Sequence, residues 1–209
     1  MVKVKEMPYR QKYAHVVADI ERVNNFFVPF VQNHLGDEAV VELRKTTQEA
    51  AKPIPDDCSF EEKYEIAYAN WVRGAIVVFR LIRERLDEGE MEQFKRADVE
   101  SLKRENASPA LFLLKVVRAI SPGSAFSMTA KQTAYQLQWM SPYSVSELNR
   151  QRLVLDIPRC KVLDFPDSED VCLTGCQSIY PTWLAEQFKV RMEANRQGNS
   201  CTLTFTPLG

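Results

Sequence analysis

Lys189-Val-Arg-Met-Glu-Ala-Asn-Arg-Gln-Gly198-Asn-Ser-Cys201-Thr-Leu-Thr-Phe205 is the stretch on which the fold class turns. Val190, Met192 and Ala194 alternate with polar residues, as do Cys201, Leu203 and Phe205. Alternation of this kind marks strands with one face buried. Gln197-Gly198-Asn199 between the two runs supplies a hairpin turn. So small a sheet needs more strands and a covering layer to bury it.

Working back along the chain, Leu153, Leu155 and Ile157 alternate again. Thr129 to Trp139 reads as a further strand. Tyr135, Leu137 and Trp139 fall on one face, and Gln132, Ala134, Gln136 and Gln138 on the other. Ser168 to Phe188 reads as a helix broken near Tyr180-Pro181.

The first 120 or so residues read as helical. Pro8 stands near a helix start. Tyr13, Val16, Val17, Ile20, Val23, Phe27 and Phe30 follow helical spacing. Pro29 is expected to kink or end this helix, Gly36 to punctuate it, and Asp37 to cap a helix running to about Lys52. Pro53 to Asp57 is a loop. Ser59 with Glu62 makes a capping box before the clearest apolar stripe: Phe60, Tyr64, Ala67, Trp71, Ala75, Val78, Ile82 and Leu86. That periodicity marks core. Gly89 is expected to end this helix. A charged helix follows from about Glu90 to Glu105, then a short apolar helix opened by Ser108-Pro109 and closed by Ser121-Pro-Gly123.

Runs of helices followed by strands mean an α+β fold. About five N-terminal helices should pack on a small antiparallel sheet of about four strands, with one inserted helix. Residues 1–121 form the helical region and 122–209 the sheet with its helix, expected as one integrated domain.

Charge is nearly balanced, with 27 basic and 28 acidic residues. That argues against a general nucleic-acid or membrane-surface role, since both usually show a basic excess, but it leaves room for a local basic patch. The N-terminus carries no apolar export segment, and the run from Gly74 to Phe79 is too short to span a bilayer. A cytoplasmic protein is expected. No glycine-rich phosphate loop, paired-glycine fingerprint or nucleophile elbow occurs.

Four of the five cysteines lie in the last fifty residues: Cys160, Cys172, Cys176 and Cys201. Cys172 and Cys176 are one helical turn apart. The four can converge at one end of the sheet as ligands for zinc or an iron–sulfur cluster, although the spacing is not that of a zinc ribbon. Buried, inert thiols are the alternative. Cys58 stands apart and has no assigned role. Cys176 is the candidate nucleophile, with Asp156 or His15 to move protons. Arg159 is the candidate clamp for a carboxylate, with Gln138 and Asn149 as neutral hydrogen-bonding groups.

Arg159-Cys160-Lys-Val, Cys172-Leu-Thr-Gly-Cys176 and the closing Gly198-Asn-Ser-Cys201-Thr-Leu-Thr-Phe205 resemble the L-2-amino-thiazoline-4-carboxylic acid hydrolase family. The same ending is similar to the 4-vinyl reductase (V4R) family of small-ligand and metal-binding domains. Cys160, Cys176 and Cys201 stand at the family's cysteine positions. Cys172 is additional, and Gln177-Ser178 stands where an acidic residue is expected after the middle cysteine. The resemblance implies a helical layer on an antiparallel sheet. It also implies a small-molecule hydrolase opening a C–N or C–S bond of a polar heterocycle or amide, or a metal- or cluster-binding ligand module. A small-molecule partner follows from it; apart from the resemblance, an edge strand could pair with a second copy, and the charge balance leads to no nucleic acid and no membrane being expected.

Overall fold

The computed structural model describes residues 4–208. Helix α1 (Tyr9–Arg22) starts directly after Pro8, passes through one wide π-helical turn (Val23–Phe27) and continues as α2 (Val28–Ala50). Pro29 therefore does not end the helical path. It falls in the first turn of α2, where its missing N–H leaves no helical bond unmade. The break comes at Gly36, whose φ of 82° and ψ of 178° suit glycine alone.

Helix α3 (Phe60–Arg85) begins with the Ser59–Glu62 capping box, Glu62 N donating to Ser59 Oγ at 3.2 Å. It ends at Arg85, four residues before the expected stop at Gly89. Gly89 instead lies in the first turn of α4 (Glu88–Glu105), which has its own capping box between Asp87 and Glu90. Helix α5 (Pro109–Ile120) runs into α6 (Pro122–Leu137) with only Ser121 between them.

Thr129 to Trp139 is thus not a strand: nearly all of it lies in α6. The pattern there fits two periods. Phe126, Ala130 and Ala134 are buried at helical spacing, and Pro122 sets the first turn. Alanine, glutamine and lysine favour that reading over the alternation of Tyr135, Leu137 and Trp139. Ser121-Pro-Gly123 accordingly opens a sixth helix instead of closing the helical half. The missing strand is β1 (Ser144–Leu148), short and bulged between Val145 and Glu147, with little alternation to reveal it.

Strands β2 (Leu153–Ile157), β3 (Val190–Gln197) and β4 (Ser200–Pro207) form as expected. The sheet is antiparallel throughout, in the order β1-β2-β4-β3. Leu155 pairs with Val145 and Leu203, and Phe205 with Leu153 and Met192. This face meets Phe126 and Ala134 of α6. Thr202 and Thr204 point the other way. Each fully buried Leu or Phe on the inner face contributes about 1.5–3 kcal/mol.

Between β2 and β3 the chain makes a 3-10 turn (Lys161–Asp164) and a long helical passage. This consists of α7 (Glu169–Val171), a π-helical stretch (Cys172–Ile179), α8 (Tyr180–Trp183) and a second π-helical stretch (Leu184–Phe188). The expected break at Tyr180-Pro181 is absent, because Pro181 sits in the first turn of α8 between the wide stretches. α7 packs on α3 and α8 on α4 and β3, so the passage lies between the helical layer and the sheet. The α+β architecture holds, with six helices ahead of the sheet. Among the described residues no helix is long and apolar enough to cross a membrane.

Candidate functional site

A cavity of about 280 Å³, partly open to solvent, lies where helices, sheet and inserted passage meet. The helical layer contributes Phe27, Trp71, Ala75 and Val78. The sheet contributes Met192, Leu203 and Phe205. The inserted passage contributes Cys172, Gly175, Cys176, Ile179 and Tyr180. The wall is thus mostly apolar, as in small-molecule sites, and the volume falls near the lower end of their roughly 300–1,000 Å³ range.

One side of this wall is charged. His15, Asp19 and Arg22 fall on one stripe of α1, at i, i+4 and i+7. Arg22 is 7% exposed and pairs with Asp98 of α4, which is 2% exposed. Asp19 Oδ1 lies 3.8 Å and Glu105 Oε2 3.5 Å from the same guanidinium. Trp71 Nε1 donates to Asp19 Oδ2 at 2.5 Å. Arg22 Nε has no hydrogen-bond partner among the described residues. Arg22 also faces the rings of Phe26 and Phe27 at 5.8 and 5.6 Å, so its charge is enclosed by both acid and aromatic groups.

Burial governs titration here. Desolvation raises Asp19 above the ordinary carboxylate range, against the opposing pull of Arg22 and Trp71. Desolvation lowers His15, and Asp19 only partly offsets this. Burial also pushes the Tyr180 hydroxyl up, with Asp19 adding to it. Burial thus biases the His15 imidazole toward its neutral form and the Asp19 carboxyl toward its protonated form.

The cysteines approach one another but do not form a cage. Cys160 N donates to Asn199 O at 2.7 Å, fixing the segment after β2 to the tip of the β3–β4 hairpin. That contact brings Cys160 and Cys201 together. Cys160, Cys172 and Cys176 line the cavity, whereas Cys201 lies beside them on the sheet. Burial is the larger penalty on ionisation of Cys172, Cys176 and Cys201, and neighbouring thiols add to it. Cys176 and Cys172 are pushed up, and Cys201 rises to about 11. Thiols held protonated are poor nucleophiles. Among the described residues, no three or more His, Cys, Asp or Glu side chains are grouped to hold a metal ion. The cysteines are therefore not arranged as a ready zinc or iron–sulfur cage. All five cysteines are free thiols.

The other predicted site residues lie elsewhere. Asp156 is on the outer sheet face, accepting from Thr202 Oγ1 at 3.1 Å. Arg159 is exposed and paired with Asp164 at 2.7 Å. Gln138 receives Met7 N at 2.8 Å and donates to Lys5 O at 2.8 Å, holding the N-terminal segment. Asn149 shapes the β1–β2 turn by accepting from Gln151 N and Arg152 N. Of the proposed catalytic set, His15 and Cys176 share the cavity and Asp156 does not. Sequence reading missed Arg22, Asp98 and Tyr180. The visible signal was the polar stripe His15, Asp19, Arg22 beside the apolar stripe Val16, Ile20, Val23.

No family model and no curated protein matches the chain. Among solved structures, the chain is similar to the crystal structure of a mutant Fe(II) unliganded H-NOX protein from K. algicida. Identity is 13%, covering 90% of this chain and 95% of that one, with a TM-score of 0.31. A similarity of that degree establishes neither family nor function.

Proposed function

We propose that the protein is a binding module for a small, largely apolar molecule with one polar group. The cavity itself carries this reading: its walls come from the helical layer, the inserted passage and the sheet, so an occupant would brace all three. The apolar lining takes the body of the molecule. Arg22, with Asp19 and Glu105 beside it, supplies a polar patch at one side. The ligand-binding half of the V4R resemblance is consistent with this. The hydrolase reading has less support, because burial pushes the Cys172 and Cys176 thiols up and Asp156 lies outside the cavity.

Filling the cavity tests the proposal. Gly175 lines it and has room for a side chain, with the Tyr180 ring 3.8 Å from a Cβ placed there. Gly175→Leu and Ala75→Phe should abolish uptake of an environment-sensitive apolar dye while leaving the fold intact by circular dichroism. Native mass spectrometry of gently purified wild type should show an added small mass that both variants lose. Dye uptake equal in wild type and both folded variants would overturn the reading.

A further inference from the structure

We infer that the outer face of α5 docks on an anionic lipid surface. The inference is independent of what the cavity binds. Pro-Ala-Leu-Phe-Leu-Leu-Lys-Val-Val-Arg-Ala-Ile is apolar nearly all round, yet none of its residues is buried. Leu111, Leu114 and Val117 are half-buried on the side toward the body, where α5 packs on α6. Phe112, Leu113, Val116 and Ile120 lie within about 100° of arc on the opposite side, by the helical repeat. They are 69%, 64%, 43% and 80% exposed. Met128 on α6, 56% exposed, adds to the apolar surface of this helical pair.

A helix apolar on all sides is normally a buried one. One of this length is marginal in water unless a face is packed. Scattered exposed apolar residues are ordinary, but four on one helical face are not.

Charge selects the occupant. Between Glu105 and Glu147 the sequence holds no acidic residue, while Lys115, Arg118 and Lys131 all lie there. Lys115 and Lys131 are exposed. Arg118 is tied to the body through its bond to Phe188 O at 2.7 Å. The apolar face is therefore carried on a segment whose only charges are cations. A second copy meeting it about a two-fold axis would bring the same cations to the same place. Anionic headgroups would instead pair with them while the apolar side chains enter the headgroup–acyl boundary. Since no described helix can cross a bilayer, the helix would lie along the surface. The overall charge balance hides this, because the acids lie elsewhere in the chain.

The test is flotation of the full chain with vesicles of phosphatidylcholine alone and of phosphatidylcholine with phosphatidylserine. Wild type should float with the second and much less with the first. Phe112→Glu should reduce binding about tenfold or more, and Lys115→Gln with Lys131→Gln should weaken it severalfold and erase the lipid preference. All these positions are exposed, so unchanged melting temperatures keep the comparison clean. Absence of wild-type binding, equal binding to both vesicles, or equal binding by Phe112→Glu overturns the proposal. So does a dimer, seen by sedimentation, that Phe112→Glu dissolves while vesicles bind nothing.

Discussion

The indole Nε1 of Trp71 donates to Asp19 Oδ2 at 2.5 Å, joining α3 to α1 at the cavity wall. The same indole meets Trp139 edge-on with ring centres 5.0 Å apart. One side chain therefore links two helices and the segment leading to the sheet. Trp71→Phe keeps most of the packing but leaves the Asp19 carboxyl short of a donor. A loss of about 1–3 kcal/mol is expected in chemical denaturation.

Arg22 and Asp98 form a buried pair, and breaking one differs from replacing both. Arg22→Met should cost about 3–5 kcal/mol, because Asp98 is left buried without its cation. Adding Asp98→Leu should recover most of that loss. If the double variant is no more stable than Arg22→Met, Asp98 does not depend on Arg22 for its charge balance.

The pH dependence follows from Asp19. Its folded-state affinity for protons is raised, so the folded state binds the proton more readily than the unfolded chain. The ionised carboxylate therefore penalises the fold above the raised pKa, and the penalty is relieved as pH falls through it. Asp19→Asn should melt higher than wild type at pH 7, and the gap should close on acidification. His15 acts oppositely: its lowered proton affinity withdraws stability as pH falls below the ordinary imidazole value of 6.5. Thermal melts of Asp19→Asn and of a His15→Gln variant across pH 4–8, roughly the window set by ordinary carboxylate and imidazole values, should show the two trends with opposite sign.

Thiol reactivity should divide along burial. Cys58, on the loop before α3, should alkylate first. Cys172, Cys176 and Cys201 should react at least about tenfold more slowly at neutral pH, since little of each is thiolate. Peptide-level mass spectrometry after timed iodoacetamide treatment reads this directly. Rapid labelling of Cys176 would instead restore it as a candidate nucleophile.

Gly36→Ala isolates a backbone effect. A Cβ at this position meets nothing within 4 Å, so no packing is disturbed. The φ of 82° still excludes the ordinary conformations of alanine. A loss of about 1–3 kcal/mol is expected in chemical denaturation.

Much of the fold was legible because hydrophobic period and caps spoke together. The Ser59–Glu62 box and the stripe from Tyr64 to Ile82 placed α3, and Gly198 between two alternating runs placed the terminal hairpin. Residues 129–139 misled because apolar residues spaced at both two and four satisfy either period. Which one prevails depends on what lies across from them, and that is a tertiary fact. β1 was hidden because a bulge breaks its alternation. In the site, the element that carries each C-terminal cysteine was readable. The charged wall was not, because Arg22 and Asp98 are 76 positions apart (98 − 22), and no local pattern announces their meeting. Asp156, Arg159, Gln138 and Asn149 were judged by side-chain chemistry alone, and their local partners in strand, loop and turn had already claimed them.

The wide turns at Cys172–Ile179 and Leu184–Phe188 have a consequence for how the chain tolerates changes in length. Each stretch runs on the i→i+5 pattern and so holds about one residue more than an α-helix over the same path. Removing one residue would return the stretch to α geometry and turn everything beyond it by about 100°. Trp183 and Leu184 would swing off the sheet, and Gly175 and Cys176 would lose their alignment with Tyr180. Loops such as Pro53 to Asp57 should accept an added or deleted residue at small cost. Within this passage, the number of residues matters as much as their identity.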